Sequence, residues 1–168
     1  VQTLHVEVAE VAAAGAVRPV DGVTSAGQPD EKTLKVFADS GYVAVIDMRG
    51  PAEDRGMADE PAVVESLGME YVAFPLASRE DISFANAGKL DRLLAEFDGP
   101  VLVHCGSGNR IGAILALRES LNGASDEDAL EYGKRAGLTR LLGCARDTDA
   151  ALVYGDYDHI EDVLAKVG

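Results

Sequence analysis

Apolar and polar positions along this chain follow two rhythms, and the changes of rhythm mark its elements. Short apolar runs that end in charge or in a turn residue read as strands: "VAVIDMR" at 43–49, typical of a buried parallel strand, "VLVHC" at 101–105, which looks buried too, and "EYVAFPL" at 70–76, halted at Pro75. Val23 and Thr24 open a further short strand, broken at Gln28-Pro29. Between the runs, apolar residues recur at the helical period. Leu34, Val36, Phe37 and Ala38 predict a helix with Asp30 as its N-cap and a stop near Gly41. "PAVVESLGM" predicts a helix ending at Gly68, and Leu90, Leu93, Leu94 and Phe97 place another over 84–97. "IGAILALRESL", after Arg110, is an apolar helix, and the serine and acids at 125–128 cap one running through "ALEYGKRAG". The tail holds helical candidates at "LTRLLGCA" and "YDHIEDVLAKV". Residues 1–20 alternate weakly, fit a strand, a helix or a loose extension equally, and stand as an N-terminal arm.

Strands alternating with helices at this spacing predict an α/β domain, with a central, mainly parallel sheet flanked by helices. No repeat, low-complexity tract or linker interrupts the 168 residues, so a single domain over 1–168 is expected.

Charge narrows the partners. A net charge of −14 argues against binding a nucleic-acid backbone, which needs a clustered positive surface. No apolar run reaches the roughly 18 residues that a membrane span takes. Two cysteines make no disulfide framework. The chain begins at Val1, which fits a processed or trimmed product; a soluble periplasmic or secreted location after signal removal stands beside a cytoplasmic one. Neither the sequence nor its charge indicates an oligomeric state.

The chemistry concentrates in "HCGSGNR", 104–110, where a strand meets a helix. Ligand sites of open α/β sheets lie at strand carboxyl ends. The following helix turns unpaired N–H groups toward the loop. Gly106 and Gly108 let the backbone curl, so that the loop 106–109, with Ser107 and Asn109, forms a nest for an anion. Arg110 adds a planar fork for two oxygens. Cys105, at the base of the nest, sits in a positive field that lowers a thiol from its usual 8.5 to about 4–7, which makes a nucleophilic thiolate. His104 points to the opposite side of the strand and supports the loop; it is not expected to act as general base. The plain alternative is a buried core cysteine at a strand end.

"HCGSGNR" resembles the signature of cysteine-based phosphatases, His-Cys, five residues, Arg, but with four residues between Cys105 and Arg110. Its "CGSGNR" also resembles the rhodanese loop, commonly Cys-Arg-Ser-Gly-Asn-Arg. "SAGQPDEKTLKVFADSGYVAVIDMR", "GMEYVAFPL" and "GPVLVHCGSGNRIGA" together resemble the bacterial beta-lactamase-hydrolase-like family, relatives of the dual-specificity phosphatases, over about residues 23–137. The resemblance implies a dual-specificity-phosphatase-like fold, Cys105 as nucleophile, a phosphocysteine intermediate and Arg110 as the oxyanion clamp. The implied substrate is a small phosphorylated compound or a phosphoprotein.

A general acid is expected from the loop after "YVAFPL", where "ASREDIS" offers Asp81 first and Glu80 second; an N-cap for the 84–97 helix is the alternative use of Asp81. A hydroxyl that follows the arginine in phosphatases is replaced here by Ile111, and Ser107 is a milder substitute. Arg49, after Asp47, is expected to pack or pair near the site loops. The alternative activity is sulfur transfer through a Cys105 persulfide, and a third is anion binding without turnover. The loop lacks the second arginine frequent in rhodaneses, since Gly106 stands there. Cys144 reads as a buried helix residue or as a resolving thiol for oxidised Cys105. No metal-ligand spacing or nucleotide fingerprint occurs, so neither a metal nor a cofactor is expected.

Overall fold

The computed structural model describes residues 18–20, 23–106 and 108–138. The arm before residue 18, Ser107, Cys144, His159 and both tail helices lie outside the described residues.

Five strands form one sheet in the order β1-β2-β5-β3-β4. They are β1 (Arg18–Val20), β2 (Val23–Ala26), β3 (Ala44–Asp47), β4 (Glu70–Ala73) and β5 (Val101–His104). Only β1 runs antiparallel, against β2, so the sheet is mainly parallel as the sequence predicts. The end of the arm is thus a strand, and β1 at the edge extends the sheet by one.

In register, Val45 lies beside Leu102 and Ile46 beside Val103, and period-two alternation sends the two pairs to opposite faces. Ile46 and Val103 pack with Leu90 of α3 (Phe84–Ala95), Ile114 of α4 (Asn109–Leu121) and Ala136 of α5 (Asp126–Ala136). Val45 and Leu102 pack with Leu34 and Phe37 of α1 (Glu31–Asp39) and with Val64 of α2 (Glu60–Ser66). Burial on both sides explains why these strands are apolar throughout.

Among the described residues, four of the five α-helices start on a side-chain cap. Asp30 accepts from the Thr33 N–H, Asp59 from Ala62, Ser83 from Asn86 and Ser125 from Asp128. Each such cap contributes about 1 kcal/mol. Helix α4 differs: Gly108 occupies its N-cap position at φ 94° and supplies no side-chain hydrogen bond. It is also buried along its first nine residues, Asn109 to Leu117, which accounts for a sequence apolar on every side. Among the described α-helices, the one without a capping side chain follows the loop after β5.

Candidate active site

Because β5 lies between β2 and β3, the loop after it is held from both sides. The Cys105 N–H donates to the Ala26 carbonyl at 3.4 Å, the Gln28 N–H to the Gly106 carbonyl at 3.1 Å, and the Met48 N–H to the His104 carbonyl at 2.9 Å. Cys105 is fully buried, and its Sγ accepts the Gly108 N–H at 3.0 Å. A donor aimed at sulfur favours the thiolate. Among the loop glycines it is Gly108 that takes a positive φ, a conformation only glycine adopts without strain.

Arg110, in the first turn of α4, is 1% exposed. Its Nη1 and Nη2 donate to Oε1 and Oε2 of Glu53 at 2.5 Å each, and Nη1 also reaches the carbonyls of Leu76 at 3.1 Å and Met48 at 3.3 Å. Glu53 also accepts the Gly50 N–H at 2.6 Å. Burial pushes its carboxyl up, but Arg110 and that N–H outweigh burial and hold it below its ordinary value. Sequence reasoning missed Glu53. It sits in the charged loop "GPAEDRG", where nothing in the spacing sets it apart from Asp54.

Replacing Glu53 by Gln should lower stability by about 1–3 kcal/mol, because the buried guanidinium loses a charged acceptor. Inorganic phosphate should then bind more tightly, by about tenfold, to a cation no longer neutralised. Thermal unfolding and calorimetric titration read the two effects. Unchanged values for both would separate Glu53 from Arg110.

On the α2 side of the sheet, behind Cys105, lies a second set of charges. Arg49 is 2% exposed; its Nε and Nη2 donate to Oδ1 and Oδ2 of Asp47 at 3.0 and 2.9 Å, and Nη2 also pairs with Glu60. Arg55 Nη1 and the Tyr71 hydroxyl donate to Asp47 Oδ2 at 2.5 and 2.8 Å. His104 is fully buried, with Nε2 at 2.5 Å from Glu60 Oε1. Burial raises the Asp47 carboxyl, but hydrogen bonds from Arg49, the charge of His104 and the Tyr71 hydroxyl bring it down to about 2. Burial and the carboxylate beside it push the Tyr71 phenol up.

Arg49 is thus ion-paired with Asp47 and Glu60 on this side of the sheet. His104 lies across the strand from Cys105, as alternation requires. Glu60 escaped the sequence reading because a first-turn glutamate normally faces solvent.

Asp47, Glu60 and His104 offer ligand atoms within 4.8 Å of one another. A cation there would have to displace Arg49 from both carboxylates and Arg55 from Asp47. The donor set fits an ion-pair cluster better than a metal centre.

Asp81 ends a 3-10 turn, Arg79–Asp81, and its Oδ2 accepts the Ala77 and Ser78 N–H groups at 2.8 and 2.9 Å. The cap of α3 is Ser83, so Asp81 caps its own turn. Glu80 beside it is exposed.

No family model matches the chain. It is 30% identical over 127 residues to a beta-lactamase hydrolase-like protein of Agrobacterium fabrum, a match over 73% of this chain and 29% of that protein. A beta-lactamase hydrolase-like protein of Xylella fastidiosa is 32% identical over 108 residues. The chain thus spans less than a third of the curated relatives it matches. Among solved structures, a candidate phosphatase of Shewanella putrefaciens superposes with a TM-score of 0.63 at 19% identity, over 93% of each chain. PTPMT1 in complex with PI(5)P superposes at 0.60 and 16% identity, over 90% of this chain and 99% of that one. No helix among the described residues is long and apolar enough to cross a membrane. The chain has the cysteine-based phosphatase fold, and in sequence it matches one segment of the beta-lactamase hydrolase-like proteins.

Proposed function

We propose that this chain is a cysteine-dependent hydrolase of phosphate monoesters. The observation that carries the reading is the Gly108 N–H aimed at Cys105 Sγ from the start of α4, the helix without a capping side chain. Such a group is a thiolate nucleophile beneath a positive helix end. The sulfur attacks phosphorus, an S–P bond forms, and the P–O bond to the leaving group breaks. Arg110 and the loop N–H groups of 106–109 neutralise charge on the equatorial oxygens. An acid protonates the leaving oxygen, and water then cleaves phosphocysteine to release inorganic phosphate.

The acid comes from the 79–81 turn. Asp81 has to release the Ala77 and Ser78 N–H groups to reach a substrate, and exposed Glu80 is its alternate. The substrate is a small phosphate monoester or a phosphoprotein; the PI(5)P bound to PTPMT1 is one such monoester.

Sulfur transfer is the second reading. Only four residues separate Cys105 from Arg110, and Glu53 already neutralises the arginine. A tighter, less cationic nest suits one terminal sulfur better than a phosphate dianion. Cys105 would then take sulfane sulfur from a donor as a persulfide and pass it to cyanide or a thiol. A third outcome is anion binding without turnover.

Aryl phosphate hydrolysis and thiosulfate-to-cyanide transfer, run side by side with Cys105→Ser, separate the three. Phosphate release lost in the serine variant is expected, with a drop of more than about 10³-fold. Sulfur transfer without phosphate release overturns the first reading. Neither activity, with phosphate still raising the melting temperature, leaves the binding role.

A further inference from the structure

We propose that Gln28 is a positioning residue for Arg110: its side chain holds the segment 50–56 closed across the anion loop, with Glu53 on the guanidinium, and so controls how readily an oxyanion reaches the arginine. This deepens the proposed function, since it takes Arg110 as the clamp for the substrate's oxygens.

The strand order dictates the crossing. Gln28 follows β2 and the segment 50–56 follows β3, while β5 lies between those strands and parallel to both. Gln28 and the segment therefore meet over the carboxyl end of β5, where the anion loop begins. The contact is close: a Cβ on Gly56 would lie 1.8 Å from Gln28 Nε2 and 2.9 Å from its Cδ. Only a bare Cα, here at φ 67°, lets the amide rest there. The Gln28 N–H donates to the Gly106 carbonyl at 3.1 Å, so the residue that fastens the segment is itself rooted in the anion loop.

The segment is also closed on itself. Glu53 Oε1 accepts the Gly50 N–H at 2.6 Å, Arg55 Nη2 donates to the Gly50 carbonyl at 3.3 Å, and Asp54 accepts the Gly56 N–H at 2.9 Å. A body bound in this way pivots rather than unravels, so a contact at Gly56 is felt at Glu53. Arg55 holds Asp47 as well, but that tie stays on the β3 side of the crossing. Gln28 holds the far side.

Closure and substrate binding exclude one another. Glu53 takes both Nη atoms of Arg110, the same fork that two oxygens of a phosphate would use. An oxyanion binds only the fraction of molecules in which the segment has lifted, and its apparent affinity scales with that fraction. Gln28 thus acts on binding without touching the substrate. Removing its side chain should uncover Arg110 and tighten anion binding, whereas loss of a direct substrate contact would weaken it.

The test is the rate at which phenylglyoxal modifies Arg110, followed on the peptide containing it by mass spectrometry, with and without inorganic phosphate. Gln28→Ala keeps the backbone N–H and should raise the rate about fivefold, with phosphate protecting at correspondingly lower concentration. Gln28→Met, whose side chain has a similar length, should restore the slow rate. Placed on Glu53→Gln, the gain from Gln28→Ala should largely vanish, because the segment no longer grips the arginine. An unchanged rate in a Gln28→Ala variant that unfolds cooperatively overturns the proposal. So does a gain that survives in full on Glu53→Gln. If Gln28→Ala does not fold, Gly56→Ala, whose methyl displaces the amide, carries the same expectation, and an unchanged rate there refutes it. Modification needs neither Cys105 nor turnover. Phosphate that protects no variant therefore counts against the proposed hydrolysis alone, while the rates without phosphate decide the role of Gln28.

Discussion

Arg49→Leu should lower folding stability by about 3–5 kcal/mol, the usual cost of removing one partner from a buried charge pair. For a chain of this size that corresponds to a fall of roughly 10 °C in melting temperature. Asp47 and Glu60 each lose a guanidinium while both stay buried: among the described residues Asp47 keeps Arg55 and the Tyr71 hydroxyl, and Glu60 keeps His104. The deficit should depend on pH. Without Arg49 the Asp47 carboxyl holds its proton more tightly, so acid relieves part of the deficit and the gap to the wild type narrows below about pH 4.

The wild type should show the complementary trend. Its Asp47 carboxyl is held near 2 against an ordinary 3.8. A depressed folded value contributes stability that is complete above the unfolded value and is lost as pH falls through the folded one. Thermal unfolding from pH 5 down to pH 2 should therefore show stability falling from just below pH 4. Equal melting temperatures for wild type and Arg49→Leu at neutral pH would remove the case for the cluster as a structural element.

Gly112→Ala should be the most damaging single methyl in the described structure. Helices α4 and α5 touch backbone to backbone there: a Cβ on Gly112 would lie 2.1 Å from the Leu138 nitrogen and 2.6 Å from the Gly133 carbonyl oxygen. Gly133 is equally closed, since a Cβ on it would meet the Gly112 carbonyl oxygen at 2.7 Å and Ala116 Cβ at 2.8 Å. These obstacles are mostly main chain and have no rotamer to change, so the helices must separate. The expected cost is about 3 kcal/mol or more, at the upper end for overpacking, because α4 also carries Arg110 and the end of the anion loop. Chemical denaturation measures it, and loss of Cys105 reactivity in the same variant would report the displaced loop. Gly68→Ala and Gly123→Ala make a useful contrast. There a Cβ meets nothing within 4 Å, and only the positive φ, 81° and 95°, resists the change. Those variants should lose about 1 kcal/mol, the local cost of a left-handed backbone.

Much of this arrangement was legible along the chain. Asp30 and Ser125 cap helices where local chemistry places them, since a cap needs only an N–H two or three residues away. The strands 44–47 and 101–104 follow from apolar runs whose cause, burial on both faces, acts residue by residue, whereas 70–73, at the sheet edge, is exposed at its two end residues and part-buried between them. The pairing of Cys105 with the start of α4 follows from adjacency. Asp81 shows where such reasoning stops: local chemistry predicts a capping aspartate, but whether it closes its own turn or begins α3 depends on how Leu76 and the turn after it meet the loop 48–53.

By itself the sequence determined the alternation of strand and helix, the position of the thiol at a strand end, and the glycine at which the backbone turns into α4, because each of these depends on neighbours within a few residues. Only the tertiary structure decided what surrounds them. Glu53 reaches Arg110 across 57 positions and Glu60 reaches His104 across 44. Electrostatic pairing and hydrogen bonding act through space and leave no period in the sequence, so the carboxylate partners of Arg110 and His104 became visible only once the strand order had brought β5 between β2 and β3.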